Sequence, residues 1–123
     1  MIAAGFGFRA GATAESLESA LATAWPGGSV DRLAVPEDKA AAPAITDLAA
    51  RAGLPLVAVD AGTMAAQPGL TPAPAAGARY GFSPAETSAL AAAGPGARLQ
   101  APRAVSADRL ATCAIAIAAE NAP

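Results

Sequence analysis

The sequence is 123 residues long with a formal net charge of −2, and 39 of its residues are alanine while none is histidine. Without histidine, a Ser-His-Asp triad, a Cys-His dyad and a histidine-based zinc site are excluded, and the single cysteine, Cys113, excludes an internal disulfide or a thiolate metal cluster. The negative net charge and the lack of a run of basic residues exclude nucleic acid as an expected partner.

The first half of the chain predicts strands and helices in alternation. Thr13 is placed to cap a helix, because Leu17 and Leu21 follow at helical spacing and Pro26 stops the pattern. Gly53 suits the left-handed end of a second helix. The expected elements are strands over residues 1–6, 30–35 and 54–59, one helix between Thr13 and Pro26, and another over 43–51.

The second half of the chain is less regular. Asp60 can cap a short helix over residues 62–66, and the prolines and glycines of residues 67–82 forbid regular structure, so this stretch is either a lid over a site or a disordered connector. Ser83-Pro84-Ala85-Glu86 is typical of a helix start, with a serine cap, a proline at the first helical position and a glutamate that can reach back to the cap. That helix runs to Ala93, and strands follow at Leu99 and over 112–118, with a loop over 102–109.

This alternation predicts an α/β protein, a three-layer α/β/α sandwich with a mixed central sheet, formed by one domain over residues 1–123. The apolar runs fall far short of the roughly 20 residues that cross a bilayer, so we expect no membrane segment. Nothing in the cysteine usage points to an oxidising compartment, and we expect a cytoplasmic protein with neither a metal ion nor a cofactor.

The glycine-rich stretch from Gly5 to Gly11 carries the most information about function. Gly5, Gly7 and Ala10 satisfy the GxGxxG/A pattern after a strand, and Glu37 follows the second strand as a ribose-binding acid would, which suggests a nucleotide-binding domain. The late helix start at Thr13 and the short chain argue against that alternative. The stretch could instead be a loop whose backbone amides hold an anion beside Arg9, or a tight turn with Arg9 in solvent.

Other polar residues are weaker candidates. Lys39 follows Asp38 in a predicted loop, where an ion pair, a ligand contact and an ordinary solvated loop are all possible. Ser83 is better explained as a helix cap than as a nucleophile, and Cys113 as inert packing. Hydroxyl groups and guanidinium groups in the second half could contribute to an anion site; these belong to Ser106, Thr112, Arg79, Arg98, Arg103 and Arg109.

Four segments carry a pattern in a fixed order. They are Gly5 to Gly11 followed by Glu15 and Leu17; Asp38-Lys39-Ala40 followed by the Ile45 helix and Gly53-Leu54-Pro55-Leu56; Ser83 to Glu86 with Ala89-Leu90 and Gly94; and Arg103 to Ala118. Together they resemble the family of CobE and the carboxy-terminal domain of CbiG, proteins of cobalamin (vitamin B12) biosynthesis. Pro84 and Arg103 depart from the family pattern, and residues 67–82 have no match in it.

The resemblance implies a role in making the corrin ring, with a precorrin or related tetrapyrrole polycarboxylate as the ligand and other enzymes of the pathway as possible partners. Two functions remain open. One is a protein that binds or hands over a precorrin. The other is a hydrolase acting on a precorrin lactone or acyl group, with Asp38 or Glu86 activating water. The expected ligand-binding residues are Gly5, Gly7, Arg9, Gly11, Lys39, Ser83, Arg103, Ser106 and Thr112.

Overall fold

The computed structural model describes residues 1–72 and 82–119. The secondary-structure elements in chain order are β1 (Ile2–Phe8), α1 (Ala14–Ala24), β2 (Arg32–Pro36), a short 3-10 helix (Glu37–Lys39), α2 (Pro43–Ala52), β3 (Leu56–Val59), α3 (Ala61–Ala65), α4 (Pro84–Ala93), β4 (Arg98–Leu99), β5 (Ala104–Val105) and β6 (Ala111–Ile117). The irregular stretch expected over 67–82 contains no helix in its described part, only a bridge between Pro72 and Phe82. Its central residues, 73–81, lie outside the described residues.

β1 lies at the centre of a mixed sheet with the strand order β3-β2-β1-β6-β4, and β5 also pairs with β6. β1, β2 and β3 run parallel, whereas β6 runs antiparallel to β1 along its whole length. β4 and β5 each add two residues to the outer side of β6. β5 lies within residues 102–109, where the sequence predicted only a loop; that part of the prediction is wrong, because a two-residue strand is too short to show an alternation of polar and apolar residues.

Helices cover both faces of this sheet. The face under α1 and α2 holds the larger side chains of the core, among them the buried Phe6, Leu17, Leu33, Ile45 and Ile115. The face under α3 and α4 is lined mostly by alanine, with Val59, Met64 and Leu90 as the larger buried residues. The predicted three-layer α/β/α sandwich with a mixed central sheet is confirmed.

The helix α4 lies directly on β1, closer than ordinary side chains would allow. Alternate residues of β1 point toward α4, and at the middle of the strand that residue is Gly5. A Cβ atom on Gly5 would overlap the carbonyl oxygen of Ala85 and would lie 2.6 Å from the backbone nitrogen of Ala89. Eight of the ten residues of α4 are buried, so this helix is part of the core rather than an amphipathic cover.

This packing corrects the prediction of a glycine loop from Gly5 to Gly11. Gly5 and Gly7 lie inside β1, where the missing side chain of Gly5 makes room for α4 and a Cβ atom on Gly7 would lie 3.0 Å from the Thr112 hydroxyl oxygen. The helix α1 begins at Ala14, well after both glycines, with Thr13 as its cap as predicted. Gly5, Gly7 and Ala10 therefore do not form the turn that a dinucleotide would need, and the nucleotide-binding alternative loses its structural basis.

Within the described parts of the chain, no helix is both long enough and apolar enough to cross a membrane.

We expect the substitution Gly5→Ala to destabilise the protein by about 3 kcal/mol or more, because the added methyl group would meet the backbone of α4 rather than a flexible side chain. Chemical denaturation followed by circular dichroism measures this change.

Gly11→Ala is the matched control. A Cβ atom on Gly11 has no atom within 4 Å, so this variant should stay within about 1 kcal/mol of the wild type. Equal stability of the two variants would show that α4 does not depend on the missing side chain of Gly5.

Candidate functional site

The carboxyl ends of the three parallel strands meet at one edge of the sheet, which is where open α/β sheets commonly bind ligands. β1 ends at Phe8 and is followed by Arg9, and β2 ends at Pro36 and is followed directly by the 3-10 helix that holds Asp38 and Lys39. Because β1 and β2 are neighbours in the sheet, their two following segments lie side by side.

Two cationic side chains lie at the end of β1. The ammonium group of Lys39 donates a hydrogen bond of 3.3 Å to the carbonyl oxygen of Phe8 and lies 5.3 Å from the centre of the Phe8 ring. Arg9 is exposed, and its backbone nitrogen donates to the carbonyl oxygen of Leu110 at 2.9 Å, which fixes the direction of the chain where it leaves the sheet. Asp38 is exposed beside Lys39.

The start of α4 reaches the same edge of the sheet. The position that a Cβ atom of Gly7 would take lies 3.7 Å from the backbone nitrogen of Ala85 and 3.0 Å from the hydroxyl oxygen of Thr112. The Thr112 hydroxyl donates to the carbonyl oxygen of Gly7 at 3.3 Å. We name as the strand-end site the residues that the fold brings to this edge: Gly7, Arg9, Asp38, Lys39, Ser83 and Thr112. Gly11 lies nearby, exposed in the turn between β1 and α1.

Ser83 occupies the cap position of α4, as predicted, but its side chain does not cap the helix. The side chain is 2% exposed, and its hydroxyl oxygen is buried with no hydrogen-bond partner among the described residues. A buried hydroxyl without a partner is uncommon in folded proteins. The predicted capping box is therefore wrong, and the reason is that its other member, Glu86, is engaged elsewhere.

Glu86 is completely buried and holds two distant segments against α4. One carboxylate oxygen accepts from the backbone nitrogens of Leu70 and Thr71, both at 2.7 Å, and the other accepts from the Thr71 hydroxyl at 2.6 Å and from the backbone nitrogen of Arg103 at 2.9 Å. Burial alone would raise the pKa of Glu86, but these four donors outweigh it and hold the pKa below its usual value.

This environment bears on the two carboxylates considered for catalysis. Both oxygens of Glu86 are occupied by structural hydrogen bonds, so this carboxylate is not placed to activate a water molecule. Asp38, in contrast, is exposed at the strand-end site. Of the two candidates, Glu86 is therefore wrong as a general base, and the assignment of Asp38 stays a prediction.

Three other predicted site residues lie away from the strand-end site or turn inward. Gly5 lies under α4 in the middle of the sheet. The Ser106 hydroxyl is buried and donates to Asp108 at 2.6 Å. The backbone nitrogen of Arg103 is bound to Glu86, and its side chain is half-buried. Packing and local hydrogen bonds explain the positions of these three residues.

A hydrogen-bond network centred on Asp108 was not predicted from the sequence. Its carboxylate accepts from the hydroxyl groups of Ser106 and Ser16, both at 2.6 Å, and from the backbone nitrogen of Leu110 at 3.0 Å. These bonds hold the pKa of Asp108 below its usual value, the bond from Ser106 contributing most. The serine two residues before Asp108 was the available signal, since such pairs often close a turn. The network joins the β5–β6 turn to α1.

The arginines of the second half that the structure describes do not converge on one site. Arg98 pairs with Ile117 across from Ile2, so it lies at the opposite end of the sheet from Arg9. Arg109 is exposed in the turn before β6, and Arg79 lies outside the described residues. Cys113 is buried in β6, where burial raises the pKa of its thiol, in keeping with inert packing.

In the described residues no three histidine, cysteine, aspartate or glutamate side chains come together in a way that could hold a metal ion.

Comparison with known proteins identifies the family. The family model for the C-terminus of cobalamin synthesis G matches residues 2–116. The chain belongs to this family of cobalamin biosynthesis proteins. The resemblance drawn from the four sequence segments is confirmed. No curated protein sequence matches the chain.

Two solved structures of cobalamin biosynthesis proteins are similar to this one. The structure of CobE, a protein from the cobalamin (vitamin B12) biosynthetic pathway, aligns with a TM-score of 0.82 and 29% identity over 94% of this chain and 89% of that chain. The cobalamin biosynthesis protein chiG from Agrobacterium tumefaciens str. C58 aligns with a TM-score of 0.73 and 32% identity over 97% of this chain and 99% of that chain.

We expect Glu86→Gln to lower the free energy of unfolding at neutral pH by about 3 kcal/mol, because the amide group would place a donor against donors and would remove a buried charge that they hold. Since the folded state lowers the pKa of Glu86, its stabilising effect is present above the pKa of the unfolded chain and is lost as the pH falls through the folded pKa. The difference in stability between wild type and variant should therefore shrink on acidification. Urea unfolding at a series of pH values measures it.

Asp47→Asn is the control for the same chemical change, because Asp47 is an exposed carboxylate on α2. Its effect should stay within about 0.5 kcal/mol. A Glu86→Gln protein as stable as this control would contradict the role assigned to the buried carboxylate.

Proposed function

We propose that the protein binds an anionic precorrin intermediate at the strand-end site and hands it over to another enzyme of corrin synthesis. The observation that carries the proposal is the placement of Arg9 and Lys39 together at the end of β1, beside the start of α4. The family to which the chain belongs supplies the pathway, since its members in solved structures are cobalamin biosynthesis proteins.

The chemistry of the ligand suits this site. Precorrins carry several acetate and propionate groups, which are ionised at neutral pH. A guanidinium group binds a carboxylate through two parallel hydrogen bonds, and an ammonium group binds it as a point charge. The net charge of −2 gives no long-range attraction for a polyanion. Recognition must therefore depend on the local cluster of Arg9 and Lys39.

Binding is favoured over hydrolysis by the groups that the chain offers for chemistry. The sequence contains no histidine, and Glu86 is enclosed by its four donors. A protein that receives and releases a polycarboxylate needs cationic and amide groups at an open edge of the sheet, and these are the groups present there. We place this function in the cytoplasm, where the lone thiol of Cys113 fits a reducing compartment.

Arg9→Ala should weaken binding of the tetrapyrrole by about tenfold, because one charge-assisted pair is lost. The test is to co-express the protein with the enzymes of the aerobic pathway, purify it by an affinity tag and record the visible spectrum of the material bound to it. The wild type should carry a tetrapyrrole spectrum, and Arg9→Ala should carry little of it. Since Arg9 is exposed, the stability of the variant should match the wild type.

Arg98→Ala is the matched control, because Arg98 is also an exposed arginine but lies at the other end of the sheet. It should retain the bound tetrapyrrole. A colourless wild-type protein, or equal losses of bound tetrapyrrole from both arginine variants, would count against ligand binding at the strand-end site.

Adding Asp38→Asn to the series tests the hydrolase alternative, which requires this variant to stop product formation without loss of binding.

A further inference from the structure

The cap of α4 has an arrangement that the packing of the protein does not explain. A serine at this position normally accepts a hydrogen bond from a backbone nitrogen of the first turn. The Ser83 hydroxyl makes no such bond, although the residue is 2% exposed and the oxygen is buried. An unpartnered hydroxyl in this position loses its hydration without regaining a hydrogen bond.

The position of this hydroxyl is fixed by the backbone around it. The backbone nitrogen of Ser83 donates to the carbonyl oxygen of Thr71 at 2.8 Å, and the carbonyl oxygen of Ser83 accepts from the hydroxyl of Thr87 at 3.1 Å and from the Thr87 backbone nitrogen at 3.0 Å. The serine is therefore held on both sides while its hydroxyl is left without a partner. A hydroxyl held in this way keeps one position in which it can donate.

The neighbouring groups favour an anionic acceptor. The first-turn backbone nitrogens of α4 have no side-chain cap, and the positive end of the helix dipole lies there. The place of the missing Gly7 side chain lies 3.7 Å from the backbone nitrogen of Ala85, so the strand-end site borders this turn. The one negative charge in the turn, on Glu86, is held by hydrogen-bond donors of Leu70, Thr71 and Arg103.

We propose that the start of α4 is a carboxylate-binding subsite, in which the Ser83 hydroxyl and the first-turn amides hold one carboxylate of the tetrapyrrole while Arg9 and Lys39 hold others. This inference rests on the proposed function for the identity of the ligand. Its physical basis, a fixed unpartnered hydroxyl at an uncapped helix start, belongs to α4 itself. Free phosphate shares the oxyanion chemistry and is the other possible source of the acceptor.

The test compares Ser83→Ala with Ser88→Ala, two identical chemical changes on the same helix. Ser88 is buried as well, but its hydroxyl donates to the carbonyl oxygen of Pro84 at 2.6 Å. The probe is uroporphyrin III, an octacarboxylate, titrated into each purified full-length protein and followed by its visible absorption. We expect Ser83→Ala to bind about tenfold more weakly than wild type and Ser88→Ala to bind within about twofold of wild type.

Thermal unfolding of the same proteins without the probe provides a second readout. Because the Ser83 hydroxyl has no partner, Ser83→Ala should unfold at the wild-type temperature or above it, whereas a true helix cap would lose stability on this change. A clearly lower unfolding temperature would overturn the proposal, since the hydroxyl would then have a structural role. Unchanged affinity for uroporphyrin in Ser83→Ala would overturn it as well.

Adding inorganic phosphate to the unfolding and binding measurements distinguishes a failure of this subsite from a failure of the proposed function. If phosphate raises the unfolding temperature of the wild type but not of Ser83→Ala, and uroporphyrin binds neither protein, the anion subsite stands and the tetrapyrrole assignment is overturned. If uroporphyrin binds both proteins equally, tetrapyrrole binding stands and the subsite is overturned. If uroporphyrin binding depends on Ser83 and millimolar phosphate does not displace it, both are supported.

Discussion

The close approach of α4 to β1 is the constraint on which the rest of the structure depends. A helix can lie this near a strand only where the strand has no side chain, and Gly5 meets that condition at the centre of the sheet. The alanine-rich face of α4 fills the space that larger residues would leave unpacked. Because most of the larger buried apolar side chains are on the opposite face, the core layer under α1 and α2 is thicker than the layer under α4.

The position of α4 in turn determines what its first turn can do. Glu86 points away from the cap and binds the backbone of Leu70, Thr71 and Arg103, which attaches both flanking segments to the helix. That use of Glu86 leaves the cap to Ser83 alone, and the hydroxyl of Ser83 makes no hydrogen bond to the helix amides. A carboxylate that stabilises the fold and a buried hydroxyl without a hydrogen-bond partner are thus two features of the same local arrangement.

The strand-end site arises from topology rather than from a continuous motif. Arg9 and Lys39 are thirty residues apart in the chain, and they meet because β1 and β2 are parallel neighbours whose carboxyl ends share one edge. Thr112 joins them from the antiparallel strand β6, and Ser83 joins them from the far layer. A site formed in this way offers several separated donors that no continuous sequence motif contains.

The sequence by itself determined the class of fold, the family and the exclusion of sites that need histidine or a second cysteine. Alternating strand and helix signals, the Thr13 cap and Gly53 at the end of α2 depend on local chemistry, and the structure has them where the sequence indicates. The absence of histidine is likewise a property of composition. Tertiary structure alone decided the roles of Gly5 and Glu86 and the bond from Ser16 to Asp108, because these partners are backbone atoms or a hydroxyl group far along the chain. A sequence does not indicate which backbone amides will lie near a given side chain. The GxGxxG pattern is the same in a sequence whether its glycines form a turn or make room for a packed helix. Only the packing of α4 on β1 distinguishes the two cases.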